Sequence, residues 1–289
     1  MAENRIQGEV LGVSWDGTGY GLDGTIWGGE FLLTDRAGFR RAAYFRKFRL
    51  PGSQTAIREP RRSALGLLYE IFGDAVLLQK NLHPIRAFTA QEVSILTRML
   101  KNGFNSPWTT SVGRLFDAVA SICGLRQHIK YEGQAAMELE FALASAEDDA
   151  GYPFLILPAP EDDSKQAQPM MVIDWEPMIR EMLRDIRKEF PLARLSKKFH
   201  NTLAEIIVEV ARRTRRQRVV LTGGCFQNKY LVERAVLRLE SEGFKPYWHQ
   251  RIPPNDGGIA LGQIMAASGL IRSRAGSKNG QLSGASLAQ

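Results

Sequence analysis

The sequence has few of the residues that mark disulfide-bonded, zinc-binding or membrane-spanning proteins. Only two of its 289 residues are cysteines, Cys123 and Cys225, and they lie far apart with no Cys-x-x-Cys motif. This spacing indicates neither a disulfide framework nor a zinc ribbon. No run of 18 apolar residues occurs and the first residues lack an apolar leader, so we expect no membrane span and no export. A reducing cytoplasm is the expected compartment.

Two common nucleotide-binding motifs are absent as well. Neither GxxxxGK[ST] nor GxGxxG occurs, so neither a P-loop nor a dinucleotide fold is supported. The chain is basic, with a formal net charge of +7 and a pI near 9.5, but net charge bears on solubility and non-specific binding rather than on chemistry. The alternating basic segment at 39–49 predicts a strand whose Lys and Arg side chains guard a solvated sheet edge. We therefore expect no nucleic-acid partner.

The first half of the chain predicts strands followed by helices. Residues 9–33 alternate short apolar pieces with glycines, which is typical of strands joined by tight turns. Thr89 and Glu92 have the spacing of a capping box at a helix start. Apolar residues at helical spacing predict helices at 62–72, 89–100, 109–124 and 132–146.

The second half predicts an alternation of strands and helices. Apolar segments at 152–157 and 170–174 predict a hairpin around the polar loop 159–169. Further along are predicted helices at 175–189, 195–214, 229–243 and 256–269, and strands at 218–222 and 245–249. This order implies a parallel α/β layer. We expect residues 1–271 to form one domain and the Gly/Ser-rich residues 272–289 to be disordered.

Three glycine-rich loops stand out. "LTGGCFQN" at 221–228 lies between a buried strand and a helix, where backbone N–H groups can approach an anion with no Cβ in the way. "DGTGYG" at 16–21 and "NDGG" at 255–258 repeat the feature. One glycine pair alone is more often a tight turn, whereas three loops favour a nucleotide or phosphate ligand. Separate glycine loops that converge on one cleft suit an ATPase fold of the actin-like and sugar-kinase type.

Six segments, taken in order, carry a family resemblance. They read "GVSWDGTGYGLDGTIWGGEFLL", "AIREPRRSALGLL", "SVGRLFDAVASICG", "YEGQAAMELE", "LTGGCFQNKYL" and "RIPPNDGGIALGQ". This set resembles the C-terminal transferase region of the HypF carbamoyltransferases of [NiFe]-hydrogenase maturation, over residues 12–267. The resemblance implies an α/β fold of the actin-like and sugar-kinase ATPase (ASKHA) type, with an incomplete first lobe and inserted helices. It also implies ATP or carbamoyl adenylate as the ligand, and transfer of the carbamoyl group to the C-terminal cysteine of a HypE-like partner.

The resemblance further implies a set of nucleotide-binding residues on several loops. They are Asp16, Gly17, Thr18 and Gly19; Gly28, Gly29 and Glu30; Gly113, Arg114 and Asp117; Glu132 and Gly133; Gly223, Gly224, Gln227 and Asn228; and Asn255. Loop N–H groups would hold phosphate oxygens, and Glu132 or Asp117 would fix ribose hydroxyls. For Asp117, a solvated carboxylate on a helix surface is an equal alternative.

The same resemblance implies Asp256 as a carboxylate ligand of iron or zinc. The His-x-x-x-His pair of the family is absent, because no two of the four histidines are four residues apart. The expected metal site is therefore incomplete, since one carboxylate rarely holds a transition metal by itself. His200 lies in an apolar helical pattern, which favours a packed core histidine over a ligand. Cys225 has no histidine partner nearby and is interpreted as a small buried residue.

The opening strands of the family are also missing, so we expect weakened nucleotide affinity, because a cleft needs both walls. Two functions remain open. The chain is either a carbamoyltransferase component that needs a separate N-terminal HypF-like polypeptide in trans, or a non-catalytic module that binds a nucleotide or the HypE-like partner. Formation of the thiocarboxamide by the chain alone would rule out the second.

Overall fold

One mixed sheet organises the molecule, which is a computed structural model that describes residues 1–143, 149–160 and 170–268. Within these ranges the strands are β1 (Val10–Tyr20), β2 (Ile26–Thr34), β3 (Phe39–Phe45), β4 (Phe48–Arg49), β5 (Trp108–Thr109), β6 (Leu155–Pro158), β7 (Met171–Asp174), β8 (Arg218–Thr222) and β9 (Lys245–Tyr247). Their order is β6-β7-β3-β2-β1-β8-β9, and β5 pairs with both β2 and β4. Strands β1 to β3 are antiparallel neighbours, whereas β8 is parallel to β1 and β9 to β8. The predicted parallel layer is thus confirmed.

Helices cover the sheet. They are α1 (Gln54–Arg58), α2 (Pro60–Phe72), α3 (His83–Arg86), α4 (Ala90–Asn102), α5 (Val112–Ile122), α6 (Gln134–Ala142), α7 (Glu176–Arg187), α8 (Leu192–Thr214), α9 (Lys229–Ser241) and α10 (259–268). The predicted capping box is confirmed, because the Glu92 N–H donates to Thr89 Oγ1 at 3.2 Å and the Thr89 N–H donates to Glu92 Oε2 at 2.7 Å. No helix in the described ranges is long and apolar enough to cross a membrane.

The core lies between the sheet and helices α2, α5 and α8. Trp15 at the middle of β1 is its centre: the ring makes edge contacts with Phe31 and Phe45, at centroid distances of 5.7 and 5.4 Å, and stacks on Phe226 at 5.5 Å. Burying an aromatic side chain of this size contributes about 1.5–3 kcal/mol. The backbone immediately after Trp15 is therefore held in place by the core.

The basic segment at 39–49 differs from its prediction. Strand β3 pairs with β2 on one side and with β7 on the other, so it is not a sheet edge. The side chain of Arg41 is buried, and its guanidinium carbon lies 4.3 Å from the Trp27 ring centroid and 3.9 Å from that of Tyr44. The solvated-edge interpretation was wrong for this residue, because its guanidinium bonds to Asp23 and Glu30 and lies against two aromatic rings.

Element boundaries move by a few residues. The helix predicted from 109 begins at Val112, because Trp108–Thr109 forms β5, and the one predicted from 256 begins with a 3₁₀ turn at Asp256–Gly258. The predicted hairpin is confirmed as the antiparallel pair of β6 and β7. The end of the helix predicted to residue 146, most of the loop 159–169 and the tail 272–289 lie outside the described residues.

Candidate functional site

A cleft of about 790 Å³ gathers residues from five separate segments of the chain. Thirteen of the predicted site residues line it: Asp16, Gly17, Thr18, Gly113, Arg114, Asp117, Glu132, Gly133, Gly224, Gln227, Asn228, Asn255 and Asp256. The cleft lies where β1 and β8 end their parallel pairing and where α5, α6 and α9 begin. Ligands of α/β folds bind at such a position, beyond the carboxyl ends of the strands.

A bulge in β1 forms the inner wall of the cleft. Trp15 pairs with Gly29 and Gly19 pairs with Trp27, so the three residues 16–18 face a single residue of β2. Bulges of this kind are common beside functional sites because they re-aim a short stretch of backbone. The Asp16 carboxylate accepts the Gly17 N–H at 2.7 Å, which fixes the turn.

Ser111 ties the start of α5 to this bulge. Its hydroxyl oxygen lies 2.6 Å from the Asp16 carbonyl oxygen and 2.8 Å from that of Gly17, and it accepts the Arg114 N–H at 3.1 Å as the helix N-cap. The positive end of the helix dipole therefore points at the cleft.

Two glycines allow this close approach. A Cβ on Gly113 would lie 2.7 Å from the Gly17 Cα, and one on Gly224 would lie 2.9 Å from Asp16 Oδ1. Real Cβ atoms do not come so near, so a side chain at Gly113 would push the backbone of the 16–18 loop away, and one at Gly224 would displace the Asp16 carboxylate. The glycines are needed for packing between loops.

Five predicted residues do not line the cleft: Gly19, Gly28, Gly29, Glu30 and Gly223. A Cβ on Gly28 or on Gly223 would collide with the carbonyl of Asp16 or of Trp15, and both residues have positive φ angles, of 151° and 103°. The structure therefore does not bring these five residues to the cleft wall with the other thirteen, and their direct contact with a nucleotide stays a prediction.

Glu30 has a structural role within that group. Its carboxylate accepts the N–H groups of Gly28 and Gly29 at 2.6 and 2.8 Å, a hydroxyl from Thr110, and Arg41 Nη2 at 2.8 Å. Burial raises the pKa of Glu30 and these partners oppose the rise. The N–H groups of Gly28 and Gly29 are therefore already occupied by Glu30.

A buried ion pair faces the cleft. Arg114 is 3% exposed and Asp117 is 1% exposed, with 3.0 Å between Nη1 and Oδ2. The contact pairs the charges without hydrogen-bond geometry, and Arg114 Nε, Arg114 Nη1 and Asp117 Oδ2 have no hydrogen-bond partner among the described residues. Burial raises the pKa of Asp117 to about 6; Arg114 opposes this and Glu132 adds to it. The alternative of a solvated Asp117 was wrong.

The residues that form the outer wall of the cleft were not predicted from the sequence. Ala136, Met137, Glu140 and Phe141 on α6 line it, with Met137 and Phe141 exposed. The signal available was the spacing of Met137 and Phe141, four residues apart and hence on one helix face. Such an exposed apolar pair beside polar loops suits a planar organic ligand.

Cys225 lines the cleft but is not suited to nucleophilic chemistry. Burial and the nearby Asp16 raise the pKa of its thiol, so the thiolate is scarce at neutral pH. A reactive cysteine needs the opposite shift. Cys225 was predicted to be a small buried residue; it is only partly buried, and the raised pKa of its thiol supports the prediction that it is not a nucleophile.

Asp256 lies in the exposed turn before α10 and contributes to the cleft rim. None of the four histidines lines the cleft, and in the described part of the chain no group of three or more His, Cys, Asp or Glu side chains is arranged to hold a metal. One carboxylate does not make a transition-metal site. The residues present therefore do not fit the iron or zinc that the resemblance implied.

A second cavity, of about 550 Å³, lies on the opposite face of the sheet beside residues 1–6 and α10. Its lining is largely apolar, with Ile6, Val10 and Val220 as its small core, and it contains none of the predicted site residues. The polar cleft is therefore the better candidate for a reaction site.

The mixed sheet and its cleft of glycine loops define an α/β domain of the Kae1-like, actin-type ATPase class. The sequence profile described as "Carbamoyltransferase, Kae1-like Domain, second subdomain" matches residues 12–263. The chain belongs to the HypF carbamoyltransferase family.

Individual relatives agree. The chain is 38% identical to carbamoyltransferase HypF of Synechocystis sp., over 92% of this chain and 35% of that protein, and 37% identical to the HypF of Rhodobacter capsulatus, over 92% and 33%. It is 31% identical to a HypF homolog of Cupriavidus necator, over 93% of this chain and 67% of that one. The chain thus spans about a third of the length of two of these relatives and two thirds of the third.

Two solved structures have the same fold. Full-length HypF in its phosphate- and nucleotide-bound form superposes with a TM-score of 0.83 at 36% identity, over 92% of this chain and 40% of that one. The HypF of T. kodakarensis gives a TM-score of 0.77 at 24% identity, over 94% and 36%, and shows the fold alone. The predicted ASKHA-type α/β fold is confirmed.

Proposed function

We propose that the cleft binds carbamoyl adenylate and takes part in transferring its carbamoyl group to the C-terminal cysteine of a HypE-like protein. The observation that carries this proposal is the convergence of the 16–18 bulge, the start of α5 and the Gly224 turn on one cleft. The relative that superposes with a TM-score of 0.83 was solved with phosphate and nucleotide bound, which supports an adenine nucleotide as the ligand.

Arg114 is the residue that we assign to binding the phosphate group. Its guanidinium is buried, faces the cleft and leaves donors without hydrogen-bond partners. A desolvated arginine binds phosphate oxygens strongly, and the nearby start of α5 adds its dipole. Glu132 and Asp117 line the same cleft, and we assign them the ribose hydroxyls.

The attraction between Arg114 and the phosphate grows as the reaction proceeds. The thiolate sulfur attacks the carbamoyl carbon, the bond between that carbon and the phosphate oxygen breaks, and AMP leaves with the electron pair. The leaving phosphate goes from one negative charge to two. An arginine fixed beside it therefore binds the transition state more tightly than the ground state.

The relatives that the chain matches are longer than it is: the chain covers 35% of Synechocystis HypF. We assign the synthesis of carbamoyl adenylate to a HypF-like region outside these 289 residues, in the same polypeptide or in a separate one. The acceptor is a HypE-like protein. The competing function is a module that binds the nucleotide or the acceptor and transfers nothing, and the single carboxylate at the expected metal position favours it.

Calorimetric titration with AMP, ATP and a non-hydrolysable carbamoyl-adenylate analogue tests the ligand. We expect binding that Arg114→Met abolishes and Arg187→Met, an exposed change on α7, leaves intact. Absence of binding in the wild type would overturn the proposed site.

Transfer is tested separately with a HypE-like acceptor, carbamoyl phosphate, ATP and an N-terminal HypF polypeptide, reading the carbamoylated cysteine by mass spectrometry. Product that requires this chain supports the transferase. Nucleotide binding with no dependence of product on the chain would favour the binding module.

A further inference from the structure

A buried histidine lies directly beneath the cleft and is not used in the proposed chemistry. His200, in α8, is fully buried. Its Nδ1 lies 2.8 Å from the Ser196 carbonyl oxygen, and its Nε2 lies 2.9 Å from Asn228 Nδ2. Both ring nitrogens are therefore engaged, and the second is engaged by a residue that lines the cleft.

These partners determine which nitrogen carries the proton. A carbonyl oxygen can only accept, so Nδ1 bears the hydrogen and donates to Ser196. Nε2 then has a free lone pair and accepts from the amide of Asn228. Burial lowers the pKa of His200 to about 4, so the neutral ring persists at neutral pH.

The histidine in turn determines how Asn228 points. With Nδ2 donating to the ring, the amide oxygen Oδ1 faces the Leu231 N–H, which it accepts at 2.8 Å as the N-cap of α9. Turning the amide over would place a donor against the Leu231 donor and an acceptor against the imidazole acceptor. One orientation of Asn228 therefore satisfies every group.

The same ring contacts other parts of the cleft wall. It packs edge-on against Phe116 at a centroid distance of 5.4 Å and against Tyr230 at 5.8 Å. Phe116 lines the cleft, and the Tyr230 N–H donates to Glu140, a further cleft residue, at 3.2 Å. The imidazole of His200 therefore packs against α5 and α9, and Tyr230 links it to α6.

We propose that His200 is a positioning residue for the cleft: by accepting a hydrogen bond from Asn228 it fixes the first turn of α9 and the Gln227–Asn228 wall against which a nucleotide binds. The nucleotide part rests on the proposed function. The ring nitrogen, and not only the ring volume, is what the site needs.

A double-mutant cycle in the full chain separates these roles. His200→Phe keeps an aromatic ring against Phe116 and Tyr230 but leaves the Asn228 amide without its acceptor. Asn228→Ser keeps a capping oxygen for α9 but removes the amide N–H that reaches the imidazole, because the serine side chain is one atom shorter. Each change should weaken AMP binding by about fivefold to twentyfold. The double variant should bind AMP no more weakly than the single variant with the larger loss, because both changes break the same interaction.

Rescue and additivity decide the outcome. His200→Gln supplies an amide oxygen that can accept from Asn228, and we expect it to bind AMP within about threefold of the wild type. Additive losses in the cycle, or equal losses for His200→Phe and His200→Gln, would overturn the proposal and leave His200 as a packing residue.

Two measurements need no nucleotide, so they remain decisive if the wild type fails to bind AMP and the proposed function falls. Nitrogen-15 NMR of the free protein should show Nδ1 protonated and Nε2 not. Hydrogen exchange at the Leu231 amide should quicken in His200→Phe and recover in His200→Gln. A protonated Nε2, or unchanged exchange in His200→Phe, would overturn the inference.

Discussion

Two buried ion pairs lie within the same part of the fold and differ in how completely they are bonded. Glu30 uses its carboxylate for two backbone N–H groups, Thr110 and Arg41, and Arg41 leaves only Nε without a hydrogen-bond partner among the described residues. Arg114 and Asp117 touch at 3.0 Å but leave Nε, Nη1 and Oδ2 without hydrogen bonds there.

This difference in hydrogen bonding distinguishes a pair that supports the fold from a pair that can bind a ligand. Buried polar groups usually have hydrogen-bond partners. A buried ion pair that lacks some of them can form hydrogen bonds with a ligand. The Glu30 pair holds the backbone behind the bulge, whereas the Arg114 pair opens onto the cleft. The first should therefore matter for stability and the second for ligand binding.

The largest effect should come from the supporting pair. Glu30→Gln removes the charge that pairs with Arg41 and turns an NH2 donor either toward the N–H groups of Gly28 and Gly29 or toward Arg41 and Thr110. We expect a loss of about 3–5 kcal/mol in the free energy of unfolding, measured in urea. Glu181→Gln on α7, in a partly exposed pair with Arg184, should cost less than about 1 kcal/mol. A similar small loss for Glu30→Gln would erase the contrast between the two pairs.

The cleft pair should behave in the opposite way. The double change Arg114→Met with Asp117→Leu replaces both charges by apolar groups, which is often neutral or stabilising for a buried pair. AMP affinity should fall by at least about tenfold, because a charged hydrogen bond to phosphate is lost. Glu30→Leu with Arg41→Met is the matched control and should still destabilise, since its backbone donors lose their acceptor. Unchanged AMP affinity in the cleft variant would argue against the assignment.

Smaller effects are expected at the contact between α5 and the bulge. Gly113→Ala places a methyl 2.7 Å from the Gly17 Cα, so the bulge must move. Overpacking outweighs the gain in helix propensity, and we expect a net loss of about 1 kcal/mol together with weaker AMP binding. In α10, Gly262→Ala meets open space and should stabilise slightly. The same sign for both substitutions would show that the contact does not matter.

The smallest effect is a pH dependence of the cleft pair. Because burial raises the pKa of Asp117 from 3.8 to about 6, its carboxyl is neutral in the folded protein below that pH and ceases to compete for Arg114. The affinity for adenosine 5′-sulfate, an anion that does not titrate near pH 6, should rise by less than about tenfold as the pH falls from 7 to 5. In Asp117→Asn the affinity should not vary with pH. A wild-type profile without slope would mean that Asp117 does not control the guanidinium.

Local signals in the sequence predicted much of the fold. The Thr89 capping box, the hairpin of β6 and β7, and the strand-turn-helix order from β8 onward depend on neighbours close in the chain, and each is confirmed. The glycine loops at 16–21 and 221–228 also predicted where the cleft would form. Their chemistry is local, because a glycine lets the backbone approach whatever lies next to it.

The tertiary structure decided which of those residues face a ligand. Glu30 and Arg114 are both charged residues beside glycines, and nothing in their local sequence separates them. Their roles depend on distant partners: Arg41, on the next strand, occupies Glu30, while nothing in the described chain completes the bonds of Arg114. Burial and bonding of a charge are set by elements that meet only when the sheet assembles. The sequence alone therefore determined the family, the glycine loops and most helices and strands. Only the tertiary structure distinguished the residues that support the cleft from the residues that face a ligand.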